Sequence, residues 1–206
     1  MCGIYGFVSD ELGPSLVTAE RLANMDRAIR HRGPDDRGTY VDRHCALGMR
    51  RLSIIDLDGG RQPIANEDRS IWVVFNGEIY NYRALKRELE ARGHRFATSS
   101  DTEVIVHLYE DRGETFLDAL DGMFGLALWD RRSELLLLAR DRLGIKPLYY
   151  APLSDGLVFG SELKSLLCHP AVSRRVSPEA LSHYLSFGTT PSDQAILDGV
   201  AKLEPA

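Results

Sequence analysis

Apolar residues recur along this chain with two different periods. Residues 3–9 alternate as a short strand. Over 18–31, Leu22, Met25 and Ile29 return at helical spacing, with Thr18 as a candidate cap. The turn cluster HRGPDDRG follows, then strand-like runs near 38–42 and 45–55, then the glycine-rich stretch DLDGGRQP. SIWVVF (70–75), with its β-branched and aromatic residues, reads as a buried strand. NYRALKRELEARG reads as an amphipathic helix: Asn81 caps it, Leu85 and Leu89 face inward, and Gly93 ends it. In SDTEVIVHLYEDRG, Ser100 and Glu103 have capping-box spacing and Asp101 falls in the first helical turn.

Downstream, GMFGLALWD, ELLLLARD, PLYYAPL and LVFGS succeed one another with turn residues between them, the pattern of an antiparallel meander. SELKSLL and SPEALSHYLSF read as helices, the second capped by Ser177 with Pro178 at its first position. The tail GTTPSDQAILDGVAKLEPA has no clear pattern. Strands in succession need antiparallel sheets, and the amphipathic helices must cover them. An α+β layered sandwich satisfies both requirements.

Composition narrows the functions available. A length of 206 residues suits one large domain, or one domain with a tail, and 44% hydrophobic with 27% charged residues is an ordinary globular balance. The formal net charge of −5 weighs against nucleic acid as the main partner, since such binders present a basic face. RAIRHR is the local exception and reads as a helix end and turn. No apolar stretch has the length of a membrane span, and no signal peptide is visible. Cys2, Cys45 and Cys168 are widely spaced and odd in number, which fits reduced thiols in a cytoplasmic protein better than a disulfide framework. No CxxC or HExxH pattern occurs and the six histidines are scattered, which argues against a structural zinc site. GxxxxGK[ST] and GxGxxG are also missing, so nucleotide binding lacks support, and GSE at 160–162 is not a nucleophile elbow.

Cys2 is the first candidate for chemistry. Removal of Met1 would leave a cysteine with its own α-amine. Such amines titrate near ~7.7–8.0, so about a tenth are neutral at pH 7 and able to act as a base. One residue then holds nucleophile and base together. The plain alternative is a chance cysteine. FNGE (75–78) is the second candidate. Asn-Gly between apolar runs commonly marks a hairpin turn. Here only EIY separates it from the cap at Asn81, too short for a return strand. A strand ending in Asn76-Gly77 and leading into a helix suits an oxyanion hole, with a side-chain amide and a backbone N–H as donors. Arg51, at a strand end, can grip a carboxylate by two hydrogen bonds or simply be a solvated edge residue. Asp101 and Glu78 can together hold an ammonium, though Asp101 also suits a helix N-terminus on its own. A nucleophile, a carboxylate grip and an ammonium grip describe a site for a free α-amino acid.

The stretches MCGIYGF, RHRGPDDRG, RLSIID, GRQPI, FNGEIYNY, SSDTEV, DGMFGLALWD, RDRLGIKPLYY and FGSELKSL occur in that order. Together they resemble the glutaminase domain of glutamine-dependent asparagine synthetases, which are class II glutamine amidotransferases and N-terminal-nucleophile hydrolases. The likeness is specific from residue 1 to about 168 and weaker beyond. It implies a four-layer αββα sandwich of two antiparallel sheets. It implies Cys2 as the nucleophile, with Asn76 and Gly77 as oxyanion donors. It also implies Arg51 on the glutamine carboxylate, the Leu52, Ser53, Ile54 and Ile55 backbone lining the site, and Glu78 and Asp101 near the ammonium. The implied reaction takes glutamine and water to glutamate and ammonia through a γ-glutamyl thioester, with neither metal nor cofactor.

The resemblance sets residues 1–190 as the glutaminase domain and 191–206 as the start of a linker to an ammonia-accepting synthetase domain. ATP and Mg²⁺ are implied only for that second domain, whose SGGxDS-type loop does not occur here. The acceptor is aspartate by family default. The oligomeric state is open, a homodimer included. Three competing readings remain: a glutamine-binding or docking module without catalysis, an amidotransferase half serving another acceptor carboxylate, and a different N-terminal-nucleophile hydrolase.

Overall fold

The computed structural model describes residues 2–13, 15–52, 56, 59–191 and 193–205. Its elements follow in the order β1 (Gly3–Ser9), α1 (Ser15–Ala28), β2 (Asp36–Val41), β3 (Cys45–Arg51), β4 (Ile64–Ala65), β5 (Ile71–Ile79), α2 (Tyr82–Ala91), α3 (Val104–Arg112), β6 (Gly122–Asp130), β7 (Leu135–Arg140), β8 (Tyr149–Leu153), β9 (Gly156–Gly160), α4 (Leu163–Leu166), α5 (Pro178–Phe187) and β10 (Ala201–Lys202). Among the described residues the strands form two antiparallel sheets, one ordered β10-β8-β9-β1-β3-β2 and the other β4-β5-β6-β7.

The strand alternation explains the layering. On β1, Tyr5 and Phe7 face Leu22 and Met25 of α1, while Ile4 turns the other way. On β5, Val73 and Phe75 pack with Leu85 and Leu89 of α2 and with Ile105 and Leu108 of α3. Val74 faces the opposite side and meets Ile4, Leu47, Met49 and Phe159 between the sheets. Helix, sheet, sheet and helix thus enclose three apolar layers, the expected αββα sandwich. Among the described residues no helix is long and apolar enough to cross a membrane.

Several local expectations are corrected. Helix α1 begins at Ser15, so Thr18 lies in its first turn and donates its hydroxyl to the Gly13 carbonyl at 3.2 Å rather than capping. Asn81 sits at the N-cap of α2, but its amide bridges the chain before β6: Nδ2 donates to the Ala119 carbonyl at 2.9 Å and Oδ1 accepts from Asp121 N–H at 3.1 Å. The capping box is half made. Ser100 Oγ accepts from Thr102 N–H at 3.2 Å, but Glu103 accepts instead from the N–H groups of Ala97 and Thr98, each at 2.7 Å. The segment 101–103 is a 3-10 turn ahead of α3. The meander divides between sheets: β6 and β7 extend one, while β8 and β9 cross to the other. The unpatterned tail supplies β10, which pairs with β8, and buries Ala195, Leu197 and Val200 against the first sheet. Part of the stretch assigned to a linker therefore packs into the sandwich.

The correction that matters most lies in β5. The strand does not end at Asn76-Gly77. It continues to Ile79, with Asn76 opposite Gly125 and Gly77 opposite Phe124. Glycine permits this close approach: a Cβ on Gly77 would lie 2.2 Å from the Met123 carbonyl oxygen.

Candidate active site

Cys2 opens the central strand β1, which is held between β3 and β9. Its sulfur meets the backbone where β3 ends: Leu52 N–H donates to Sγ at 3.3 Å, and the thiol donates to the Leu52 carbonyl at 3.5 Å. The Cys2 carbonyl accepts from Arg32 Nε at 2.8 Å. Arg32 is anchored by Glu162 at 3.1 Å, a carboxylate that also meets His31 at 2.9 Å and Lys164 at 3.0 Å. Burial pushes the Glu162 carboxyl up, but the hydrogen bonds from Lys164, Arg32 and His31 outweigh it and hold the group below its ordinary value. One residue further, Ile4 N–H donates to Ser161 Oγ at 3.0 Å and Ser161 N–H donates to the Ile4 carbonyl at 2.9 Å. The start of β1 is thus fixed on both sides.

A small cavity of about 50 Å³ opens at the sulfur. Its wall contains Cys2, Arg51, Leu52, Gly77, Glu78 and Asp101, six of the residues singled out in the sequence. Arg51 is buried, and its Nη2 donates to the Asp56 carbonyl at 2.6 Å. The turn folds closely over this guanidinium: a Cβ on Gly60 would lie 2.6 Å from Nη2. The Asp56 carboxylate accepts from Ser99 N–H at 2.8 Å, which ties the arginine's turn to the segment carrying Asp101. Asp101 is 5% exposed and accepts from Ile79 N–H at 2.9 Å. Burial, and after it the charge of Glu78, push the Asp101 carboxyl above its ordinary value. A cation placed between these two acids would relieve both effects.

Asn76 does not line the cavity wall. It is 2% exposed and by strand alternation shares the inter-sheet face with Val74. Its Nδ2 has no hydrogen-bond partner among the described residues. A buried amide donor left unpaired is costly, and an oxyanion would satisfy it. Ser53, Ile54 and Ile55 lie outside the described residues, as does Met1.

A model of the family described as "Glutamine amidotransferase domain" matches residues 1–206. The chain belongs to this family. Among curated glutamine amidotransferase relatives, asparagine synthetase [glutamine-hydrolyzing] 1 of Bacillus subtilis (strain 168) is 43% identical over the whole chain, which covers 32% of that protein. Asparagine synthetase [glutamine-hydrolyzing] 2 of the same organism is 47% identical over 94% of the chain and 26% of its own length. The rice counterpart numbered 2 (Oryza sativa subsp. japonica) is 47% identical over 81% of the chain and 28% of its length. The chain therefore spans about a quarter to a third of these relatives. A solved glutamine phosphoribosylpyrophosphate amidotransferase from B. subtilis superposes with a TM-score of 0.66 at 20% identity, covering 99% of this chain and 46% of that one. At that identity the likeness shows the fold alone, a sandwich of two antiparallel sheets between helices.

Within this glutamine amidotransferase domain, sequence reasoning missed several residues that build the site. Gln62 lies in the wall, where its Oε1 accepts from Phe75 N–H at 2.6 Å and its Nε2 donates to Thr102 Oγ1 at 3.2 Å. It joins the strand of Asn76 to the turn of Asp101. Ser100 and Thr102 line the same wall. Arg32 and Ser161 stood in quoted motifs, RHRGPDDRG and FGSE. Nothing local reveals that both close on β1, because the contacts span 30 and 157 residues.

Proposed function

We propose that this domain hydrolyses L-glutamine to L-glutamate and ammonia, with Cys2 as nucleophile. The observation that carries the reading is the single cavity shared by Cys2, Arg51, Gly77, Glu78 and Asp101. It supports the reading because a thiol, a guanidinium and two carboxylates share one wall. In this reading Arg51 holds the α-carboxylate and Glu78 and Asp101 hold the α-ammonium. The side-chain amide then reaches the sulfur. Removal of Met1 frees the Cys2 amine, which takes the thiol proton as Sγ bonds to the amide carbon and passes it to the nitrogen. The C–N bond breaks and ammonia leaves. Water, deprotonated by the same amine, opens the thioester, releasing glutamate and restoring the thiol. Asn76 Nδ2 and Gly77 N–H take the negative charge of both tetrahedral intermediates.

The likeness to glutamine-hydrolyzing asparagine synthetases favours an ammonia-accepting synthetase half as this domain's partner; aspartate as acceptor, and ATP and Mg²⁺ in that half, are proposed with it. Three cysteines without a disulfide favour the cytoplasm. The deciding experiment incubates the purified chain, with Met1 removal checked by mass spectrometry, with glutamine and measures glutamate. Cys2→Ala should abolish release while the circular dichroism spectrum stays that of the parent. Equal rates in the two proteins would overturn the assignment.

A further inference from the structure

A second cluster of chemically competent side chains lies outside the Cys2 cavity. Glu67 comes from the turn between β4 and β5, His94 from the chain leaving α2, and His107 and Glu110 from adjacent turns of α3. Their ligand atoms all lie within 4.8 Å of one another. His94 Nδ1 is 4.0 Å from Glu67 Oε1 and 3.7 Å from Glu110 Oε2. His107 Nδ1 is 3.5 Å from Glu67 Oε2 and 3.4 Å from Glu110 Oε2. A tetrahedral ion with bonds of ~2.0–2.2 Å sets its ligand atoms ~3.3–3.6 Å apart. Of these four histidine–glutamate separations two fall in that interval and two exceed it, and the remaining pairs lie within 4.8 Å, so an ion draws the four ligand atoms together.

The surroundings supply an independent observation. Both imidazoles turn Nδ1 toward the shared centre and Nε2 toward a further carboxylate. His94 Nε2 is 3.0 Å from Asp111 Oδ1, and His107 Nε2 is 3.7 Å from Glu103 Oε1. The carboxylate behind His94 fixes that ring's tautomer and orientation, as is usual for metal-bound histidines, whereas His107 Nε2 has no hydrogen-bond partner among the described residues. The two inner carboxylates are held as well. Asn66 Nδ2 donates to Glu110 Oε1 at 2.8 Å, and Arg95 N–H donates to Glu67 Oε1 at 2.9 Å. His107 is completely buried, whereas Glu67 is exposed and marks the entry side.

We propose that Glu67, His94, His107 and Glu110 form a binding site for a divalent transition-metal ion, zinc by preference, that clamps the ends of α2 and α3 to the β4–β5 turn. Two imidazole nitrogens and two carboxylate oxygens suit tetrahedral zinc. Four protein ligands leave no open position, so the role is structural. None of the four lines the Cys2 cavity, which separates the ion from the glutamine chemistry. The sequence hides the site because its ligands are spread from 67 to 110, with only His107 and Glu110 close together.

The test strips the full chain with a chelator and titrates it with zinc chloride by calorimetry. Thermal melts and zinc X-ray absorption follow. The expected result is one zinc per chain, a raised melting temperature, and a first shell of nitrogen and oxygen only at about 2.0 Å. His94→Ala and Glu67→Gln should each weaken binding at least about tenfold, and Asp111→Asn about 10–100-fold. These positions are more accessible than buried His107, so the variants are chosen there to preserve folding. Cys2→Ala should leave zinc affinity and stoichiometry unchanged, which separates this site from capture by the thiol. No saturable binding at millimolar zinc would overturn the proposal. So would sulfur in the first shell with binding lost in Cys2→Ala, or undiminished affinity in both His94→Ala and Glu67→Gln.

Discussion

Two residues in the site hold opposite kinds of unfinished business. Asn76 keeps a buried donor without a partner among the described residues. In the proposed reaction, truncating it removes an oxyanion donor, which should lower kcat about 10²–10³-fold. The same change also removes the ~1–3 kcal/mol penalty of an unpaired buried amide, which offsets lost packing. Asn76→Ala should therefore lose activity with little change in melting temperature; a near-normal kcat would remove the role. Asp101 is costly in its charged form. Burial first, and then Glu78, raise its pKa in the folded state above the ordinary 3.8. A carboxyl raised on folding contributes its stability in full below the unfolded pKa and loses it as pH rises through the folded one. Asp101→Asn cannot ionise, so it should melt higher than the parent at pH 8, with the gap closing near pH 3.5. The KM for glutamine should rise in the same variant, because the ammonium loses a counter-charge. A parent more stable than Asp101→Asn at pH 8 would count against this account.

At the scale of elements, the site depends on β5 passing its Asn-Gly step without turning. Gly77→Ala would drive a Cβ to 2.2 Å from the Met123 carbonyl and 2.7 Å from Phe124 Cα. Both are backbone atoms of a paired strand and cannot swing aside. The substitution should therefore cost more than the ~1–3 kcal/mol of an ordinary overpacked site. Urea unfolding would read it as a lowered midpoint, and an unchanged midpoint would show that β6 can yield. The same strand marks the limit of what the sequence discloses. Alternation in 3–9 and 70–75, the Leu85 and Leu89 stripe, and the Ser177-Pro178 start are local patterns, and each yielded its element. The Asn76-Gly77 step could be singled out from the sequence, but its continuation in β5 could not, because pairing with β6 overrides the turn preference of Asn-Gly. Gln62 was illegible for a similar reason. Its two hydrogen bonds reach 13 and 40 residues along the chain, and no periodicity encodes them. Nor does any local pattern say that β8 and β9 leave one sheet for the other.

At the scale of the molecule, α5 leaves an apolar surface uncovered. Leu185 and Phe187 are 75% and 73% exposed, and Leu181 and Tyr184 border a cleft shared with Tyr149 and Ile196. Large exposed apolar groups at one place mark an interaction surface. Leu185→Glu combined with Phe187→Glu should leave glutamine hydrolysis unchanged and shift stability by no more than about 0.5 kcal/mol per site. Light scattering should record less self-association than in the parent, and equal association would place the sticky surface elsewhere. The middle of the first sheet has a different consequence. The carbonyl of Cys2 is moored through Arg32 to Glu162, whose other partners, His31 and Lys164, stand half in water. Glutamine carries no net charge, so dissolved salt has little to screen between it and the protein. Yet ions in solution compete for this outer cluster within a Debye length of ~8 Å at physiological strength. In the proposed reaction, salinity therefore enters through the mooring of the thiol rather than through the substrate.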